Sequence, residues 1–200
     1  MLVEGILLLH MMTKYHSNAK TVIVGIDPAN SGAAVILHDG EVVAAVLWKP
    51  CVRKKRKAYS LSISYNNTVQ NLTVRTTAHI GHVISNMPFL TSCNAIAIED
   101  CYMSRNAKTA ITLAKISASI AAPLEVKSGF PSIYVKPNVW RSTVLSAGGR
   151  TKRDVLKAIS LSRIPEILPS LKHHMEKLGD HDHITDAAGI ALWLIAVKNK

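Results

Sequence analysis

The chain has 200 residues, which is enough to bury one sizeable hydrophobic core and few for two, so we expect a single domain. Lys and Arg outnumber Asp and Glu by 24 to 13, which gives a net charge of +11 and a pI near 9.7. This excess of cations favours an anionic partner such as nucleic acid, with anionic lipid and a generic basic surface as alternatives. The three cysteines form no CxxC pair, which indicates a reducing compartment and no structural zinc site.

The first twenty residues differ in character from the rest of the chain. Their apolar run, Gly5 to Leu9, is too short to span a bilayer and has no basic region before it. We therefore predict a peripheral N-terminal segment over residues 1–20 and one folded domain over residues 21–200. The sequence contains no evident repeat or transmembrane span, so we expect a cytoplasmic protein that is not secreted and has no membrane partner.

Residues 22–32 form a β-branched run that ends in Asp27 and a turn of Pro, Asn, Ser and Gly. Apolar residues 33–37 follow, which predicts a hairpin at the centre of a sheet covered on both faces. A carboxylate at the end of a buried strand needs a partner, and a metal ion is one such partner. The alternative is an Asx-type turn in which Asp27 bonds to the backbone that follows it.

Further strands and a helix are predicted after this hairpin. The turn Asp39-Gly40 precedes residues 41–48, which predict a third antiparallel strand. Residues 60–67 are polar and mixed, and no element is predicted there. Apolar residues at helical spacing predict a helix over residues 68–87 that ends at Pro88.

A basic run occupies residues 49–57, between the third strand and this helix. Such runs are more often solvated loops than binding sites. Because the whole chain is basic, we also consider a loop that contacts phosphates. The candidate DNA contacts in this run are Arg53, Lys54 and Lys55.

A second apolar strand, residues 95–99, ends in Glu99 and so repeats the arrangement at Asp27. Parallel strands of a helix-covered sheet present their carboxyl ends to one crevice, so the two acids would face one metal ion if their strands are neighbours. A long helix is predicted over residues 106–122, closed by Pro123, and a short strand over residues 132–135.

Residues 147–153 combine glycines with cations. Glycines let a backbone approach a phosphate closely and Lys or Arg neutralises it, although a flexible surface turn explains the pattern equally well. A helix is predicted over residues 154–162, and Pro165 and Pro169 indicate a connection after it.

The last predicted helix, residues 182–194, is rich in small residues that suit close packing on a sheet. On a helix Asp182, His183 and Asp186 project from nearly one face, where they could complete an oxygen-rich site. The alternative is an N-cap role for Asp182 and a solvated His183. His181 is assigned to solvent.

Taken together, these elements predict an α/β fold with an RNase H-like mixed sheet, in which three antiparallel strands are followed by parallel strands and flanked by helices. From residue 22 to residue 194 the chain resembles the RuvC family of Holliday junction resolvases, and its phage-type relatives in particular. The motifs that carry the resemblance are Gly-Ile-Asp27-Pro, the stretch from Ile98 to Ala107, Arg141-Ser-Thr-Val with Gly148 and Lys152, and His183-Ile-Thr-Asp186-Ala. Gly189 stands where a second acid would be needed if Asp186 were the first of the pair, so we take His183 and Asp186 as the pair.

The resemblance implies a structure-selective endonuclease that hydrolyses phosphodiesters in four-way DNA junctions with two Mg²⁺ or Mn²⁺ ions. It implies Asp27, Glu99, His183 and Asp186 as catalytic residues and metal ligands, with Asp182 as an extra or substitute ligand. Oxygen-rich ligands with at most one imidazole suit these ions. No other small-molecule cofactor is implied.

The resemblance also implies partners. Two paired incisions per junction imply a homodimer, with the helix at residues 106–122 as one candidate interface. Tyr102 would stack on an unpaired base, or else is a core tyrosine with a satisfied hydroxyl. The DNA contacts assigned in this way are Tyr102, Arg105, Arg141, Lys152 and Arg153.

Three other functions stay open at this point. One is a nuclease of the same fold that acts on other branched DNA or on RNA–DNA hybrids. Another is a junction-binding protein without catalysis, against which the intact Asp27, Glu99 and Asp186 argue. The third is an actin-like nucleotide-binding domain, which would need a second Asp-Gly-rich phosphate turn that the sequence lacks.

Overall fold

A computed structural model describes residues 21–53, 56–100, 107–145, 153–179 and 182–198, with side chains for all of these except residues 53 and 153–158. The strands are β1 (Val22–Asp27), β2 (Gly32–His38), β3 (Glu41–Arg53), β4 (Arg56–Tyr65), β5 (Thr68–Val74), β6 (Cys93–Glu99) and β7 (Ser132–Val135). The α-helices are α1 (Thr77–Ser85), α2 (Ala107–Ser128), α3 (Pro137–Leu145), α4 (Arg153–Ile167), α5 (Pro169–Leu178) and α6 (Asp182–Lys198).

The described strands form one seven-stranded sheet in the order β5-β4-β3-β2-β1-β6-β7. Neighbours from β1 to β5 are antiparallel, whereas β6 runs parallel to β1 and β7 runs parallel to β6. The predicted mixed sheet, in which antiparallel strands are followed by parallel strands, is confirmed. Strands β4 and β5 extend its antiparallel part by two strands that the sequence pattern did not indicate.

Helices cover both faces of the sheet and bury its central strand completely. Every residue of β1 is buried, and alternate residues enter different hydrophobic clusters because successive side chains of a strand point to opposite faces. Ile23 packs in the cluster that contains α6, α3 and α5 residues. Val24 and Ile26 pack in the cluster that contains α1 and α2 residues. The continuous apolar run is therefore explained by burial on both sides.

Two sequence predictions in the antiparallel part are wrong. The basic run that we predicted as a loop contributes to β3 and β4, which pair with each other as far as Arg53 and Arg56. The first part of the predicted helix at residues 68–87 is strand β5, and α1 begins only at Thr77. Pairing with β4 satisfies the backbone of β5, and this tertiary contact outweighs a loose helical spacing of apolar residues.

Prolines that we predicted to end helices lie inside them. Pro123 is internal to α2, which continues to Ser128, and Pro165 is internal to α4. An internal proline removes one backbone hydrogen bond and costs about 3 kcal/mol. Burial of Leu124 and Ile164 on either side of the sheet offsets part of that cost. Pro169 opens α5 at its first turn, where a proline is tolerated.

Among the described helices α2 has the length and composition of a helix that crosses a membrane. The core helices of folded domains meet the same criteria. In this structure α2 packs against α1 and β6, with Ile116, Ile120 and Leu124 in the hydrophobic core.

Candidate active site

Two carboxylates lie together at the carboxyl edge of the sheet. Strands β1 and β6 are parallel neighbours, and Ile26 pairs with Ile98 immediately before the two acids. Asp27 and Glu99 therefore leave the sheet side by side. The side chain of Asp27 is 10% exposed and that of Glu99 is 20% exposed, so both acids are largely withdrawn from water.

Helix α6 brings the third acid and an imidazole to the same place. Small residues such as Ala187 and Ala191 are buried and let the helix approach β1 closely. His183, on the first turn, lies with its Nδ1 atom 2.6 Å from Asp27 Oδ2. Asp186 lies three residues further on, and its side chain is 15% exposed. Segments far apart in the sequence thus meet at one edge of the sheet.

Helix α3 supplies two further side chains to this cluster. The Nη2 atom of Arg141 donates to Asp186 Oδ2 at 2.7 Å and lies 3.9 Å from Glu99 Oε2. The indole Nε1 of Trp140 donates to the same Glu99 oxygen at 2.9 Å. The guanidinium also lies 4.7 Å from the centre of the Trp140 ring, within the range of a cation–π contact. Arg141 is thus a buried counter-charge inside the carboxylate cluster.

Arg141, which the resemblance implies as a DNA contact, is buried in this structure. Its residue surface is only 9% exposed, and its Nε atom is buried without a hydrogen-bond acceptor in the described part of the chain. Burial of a hydrogen-bond donor without an acceptor costs free energy, so the other contacts of Arg141 must hold its guanidinium in this position. Its contact with DNA stays a prediction.

The cluster changes the acidity of Glu99. Burial raises the pKa of Glu99 to about 7, and the nearby charge of Asp27 adds to the rise. The hydrogen bond from Trp140 and the charge of Arg141 lower this pKa, and Asp186 raises it further. Glu99 therefore carries a proton for a substantial part of the time near neutral pH, since like charges in a buried cluster disfavour full ionisation.

The donor set of the cluster fits a hard divalent cation in its chemistry. Three carboxylates and one imidazole form the oxygen-rich ligand set typical of Mg²⁺ and Mn²⁺. Within the described ranges, however, no three His, Cys, Asp or Glu side chains stand close enough together to hold a metal ion as they are. Arg141 places a positive charge beside both Glu99 and Asp186.

The other predicted site residues fall into three groups. Asp182 is the first residue of α6, directly before His183, and is half-buried. Arg53 ends β3 and Arg153 begins α4, but their side chains are not described. Outside the described residues lie Tyr102, Arg105, Lys152, Lys54, Lys55 and His181. The roles assigned to all of these residues stay predictions.

Sequence reasoning missed the part played by Trp140. No sequence pattern predicts a role for this residue, yet its buried indole donates a hydrogen bond to the Glu99 carboxylate. One general signal was present, because a buried tryptophan usually finds an acceptor for its N–H. Which acceptor it finds depends on how α3 packs and is not encoded in a local pattern.

Comparison with protein-family models and with curated proteins gives no match. Among solved structures, the chain is similar to Thermus thermophilus RuvC in complex with Holliday junction substrate, at 15% identity over 86% of this chain and 91% of that chain, with a TM-score of 0.48. It is also similar to a second Thermus thermophilus RuvC structure, at 16% identity over 88% of this chain and 95% of that chain, with a TM-score of 0.49.

Proposed function

We propose that this protein is a divalent-metal-dependent endonuclease that resolves four-way DNA junctions by paired phosphodiester hydrolysis. The observation that carries the proposal is the meeting of Asp27, Glu99 and Asp186 at one edge of the sheet. Buried acids are costly, and a fold that gathers three of them needs a cationic or protonated partner for each. The basic character of the chain supports a polyanionic substrate.

The proposed chemistry assigns a task to each side chain of the cluster. Asp27, Glu99 and Asp186, with His183 or Asp182, would hold Mg²⁺ or Mn²⁺, which would supply Lewis-acid activation of water and stabilisation of the leaving oxygen. His183 holds the Asp27 carboxylate in place through its Nδ1 contact. Trp140 fixes one oxygen of Glu99, which leaves the other oxygen to hold or release a proton.

Arg141 has two tasks in this proposal. Its guanidinium pairs with Asp186 and lies beside Glu99, where it offsets their negative charge. When it is released from Asp186, its guanidinium is a donor suited to a phosphate oxygen of DNA. The remaining DNA contacts proposed are Tyr102, Arg105, Lys152, Arg153, Arg53, Lys54 and Lys55.

A gel assay on a labelled mobile four-way junction, with and without Mg²⁺, tests the proposed function. We expect metal-dependent, symmetrically placed nicks that a ligase can seal. Forked DNA and RNA–DNA hybrids of equal length serve as competing substrates. Preferential cutting of forks or hybrids would show that the protein is a nuclease with a different substrate. Tight binding of junctions without any cutting would show that it is a junction-binding protein.

We expect the affinity for Mn²⁺ to fall as the pH drops below about 7, the value to which burial raises the pKa of Glu99. A proton on Glu99 must leave before the carboxylate can bind a cation, so each pH unit below this pKa costs about tenfold in affinity. Calorimetric titration with Mn²⁺ at several pH values between about 5.5 and about 8, roughly one unit on each side of this pKa, measures the slope of Mn²⁺ affinity against pH. Glu99→Gln should bind Mn²⁺ more weakly and without this slope, whereas an unchanged slope in that variant would assign the proton to another group.

We further propose a homodimer, with the exposed face of α2 at its interface. Ile111 is 56% exposed on this helix, and Ala114 and Ala118 are exposed on the same face. The exposed Ile111 beside small alanines would let a second copy of the helix approach closely, which is the basis of this proposal. We expect Ile111→Asp to weaken the dimer by about 30-fold or more, the cost of disrupting an interface centre.

Sedimentation velocity at several protein concentrations measures this dimer. Val197→Asp is the matched control, because Val197 is a 44% exposed apolar residue near the end of α6. A wild-type protein that stays monomeric, or an Ile111 variant that associates as well as the Val197 variant, would contradict the α2 interface.

A further inference from the structure

Strands β3 and β4 continue beyond the sheet as a two-stranded arm. Strand β2 pairs with β3 only as far as Trp48, and β5 pairs with β4 only from Tyr59 onwards. In contrast, β3 and β4 pair with each other up to Arg53 and Arg56. We call the described residues 49–53 and 56–58 the β-arm.

The β-arm leaves the sheet at the edge that carries the carboxylates. Strands β1 and β3 are both antiparallel to β2, so they run in the same direction and their carboxyl ends lie at the same edge. Lys49, Arg56 and Lys57 are exposed on the arm. A cationic two-stranded ribbon therefore starts where Asp27 ends β1.

A groove of about 480 Å³ lies between the β-arm and helix α2. Cys51 and Tyr59 line it on one side, Ile116 and Ser119 on the other, and Asn30 at the turn after β1. Its volume is in the range of pockets that hold small organic groups, far below what a double helix would need. Asn30 lines the groove and lies three residues after Asp27, so the groove reaches the edge of the sheet that carries the carboxylates.

Two lysines face this groove from opposite walls. Lys57 comes from the arm and Lys115 from α2, and both side chains are exposed. In the described part of the chain neither ammonium is paired with a carboxylate. Two unneutralised cations across an apolar floor favour an anionic ligand that also has an apolar part.

The combination of cationic walls and an aromatic side chain is typical of sites for single-stranded nucleic acid. Tyr59 is half-buried and packs on the hydrophobic cluster, so its ring is held in position. We infer that this groove binds a single-stranded segment of the DNA substrate where the strand passes over the sheet edge, with a phosphate between Lys57 and Lys115. This inference rests on the proposed function for the identity of the substrate.

The groove and the carboxylates lie on opposite faces of the sheet. Ile26 and Ile116 belong to the cluster on the groove side, whereas Asp27 contacts His183 on the α6 side. A strand that is cut at the carboxylates therefore reaches the groove by crossing the edge at Asn30. Unpaired nucleotides can make this turn, because a single strand bends more easily than a base-paired arm.

Alkylation of Cys51 reports occupancy of the groove without any need for cleavage. The thiol is half-buried in the groove wall, and peptide-resolved mass spectrometry separates it from Cys93, which is buried and serves as the internal reference. Without divalent metal, we expect a four-way junction or a single-stranded oligonucleotide at ten times its Kd to slow alkylation of Cys51 by about tenfold. A blunt duplex of equal length should protect far less. Equal rates with and without junction and single strand would overturn the inference.

Charge reversal at Lys115 tests the phosphate contact. Lys115→Glu should weaken single-strand binding and reduce the slope of log affinity against log salt by about one, the signature of one lost phosphate contact. Lys127→Glu makes the same change in net charge on an exposed lysine of the same helix outside the groove, and should leave the slope unchanged. Equal slopes in the two variants would contradict a phosphate at Lys115.

The two readouts separate this inference from the proposed function. If the protein never cuts junctions but DNA protects Cys51 and Lys115→Glu lowers the slope of log affinity against log salt, the groove binds DNA and the proposed nuclease activity is wrong. If the protein cuts junctions but DNA does not protect Cys51, the nuclease activity is supported and the groove is not a DNA-binding site.

Discussion

Asp27→Asn protein is expected to bind four-way junctions and to cut them more than about 100-fold more slowly than the wild type, since even loss of a group that only orients a metal ligand costs 10- to 100-fold. The substitution keeps the size of the side chain and removes its charge. Asp27 lies at the end of the central strand and contacts His183, so the amide lacks the charge that attracts a divalent cation to this edge. Rates of nicking at saturating junction, in metal-stripped buffers with added Mg²⁺, measure the loss.

Thermal unfolding provides an independent readout for the same substitution. Because cations that bind only the folded state stabilise it, Mn²⁺ should raise the Tm of the wild type and have much less effect on Asp27→Asn. Asp39→Asn is the matched control: the same chemical change at the β2–β3 turn, where Asp39 has a φ of 52° that asparagine also tolerates. Retained cutting by the Asp27 variant, with a full Mn²⁺ shift, would remove Asp27 from the site.

The acids of this site could be predicted from the sequence because each has a local signal. Asp27 and Glu99 end apolar strands, and His183 and Asp186 have the spacing of one helix face. The prediction that Asp27 and Glu99 meet depends on β1 and β6 being neighbours, and the parallel pairing of Ile26 with Ile98 meets this condition. For these residues, the position within a strand or helix nearly determines where the side chain lies in the folded protein.

The groups that hold the acids could not be predicted in the same way. Arg141 was identified as a DNA contact from motif resemblance, yet its guanidinium pairs with Asp186 and lies beside Glu99. Its direction depends on how α3 packs against α6 and on the stacking over Trp140, which are contacts between distant segments. A cation in a motif can neutralise the protein's own acids or those of a ligand, and sequence spacing does not distinguish these.

The β-arm was missed for a related reason. Lysine and arginine runs have low strand propensity and are usually solvated, so residues 49–57 were predicted as a loop. Strand formation there depends on cross-strand pairs such as Cys51 with Ala58, formed with a segment that showed no clear pattern of its own. Because strand propensity depends on the partner strand, a pattern in one strand alone cannot reveal it.

Gly25→Ala should destabilise the protein by about 3 kcal/mol or more, the upper range for overpacking of a core. A Cβ atom at Gly25 would lie 2.1 Å from the carbonyl oxygen of Ala187 and 2.6 Å from the backbone nitrogen of Ala191. Both atoms belong to the backbone of α6, which cannot move aside by changing a rotamer. Relief would require α6 to shift away from β1, and this shift would separate His183 from Asp27.

Urea denaturation of Gly25→Ala and Gly129→Ala tests this packing argument. A Cβ at Gly129 would have no atom within 4 Å, so alanine there has no steric clash. Because Gly129 has a φ of +75°, alanine would be destabilised only by the left-handed backbone conformation, by about 1–2 kcal/mol. A glycine inside a strand indicates close approach of another chain segment, and here that segment carries two of the site's side chains. We therefore expect Gly25→Ala to lose Mn²⁺ affinity as well as stability, whereas Gly129→Ala keeps full affinity. If Gly25→Ala proves the milder substitution, close packing of α6 on β1 does not set the geometry of the site.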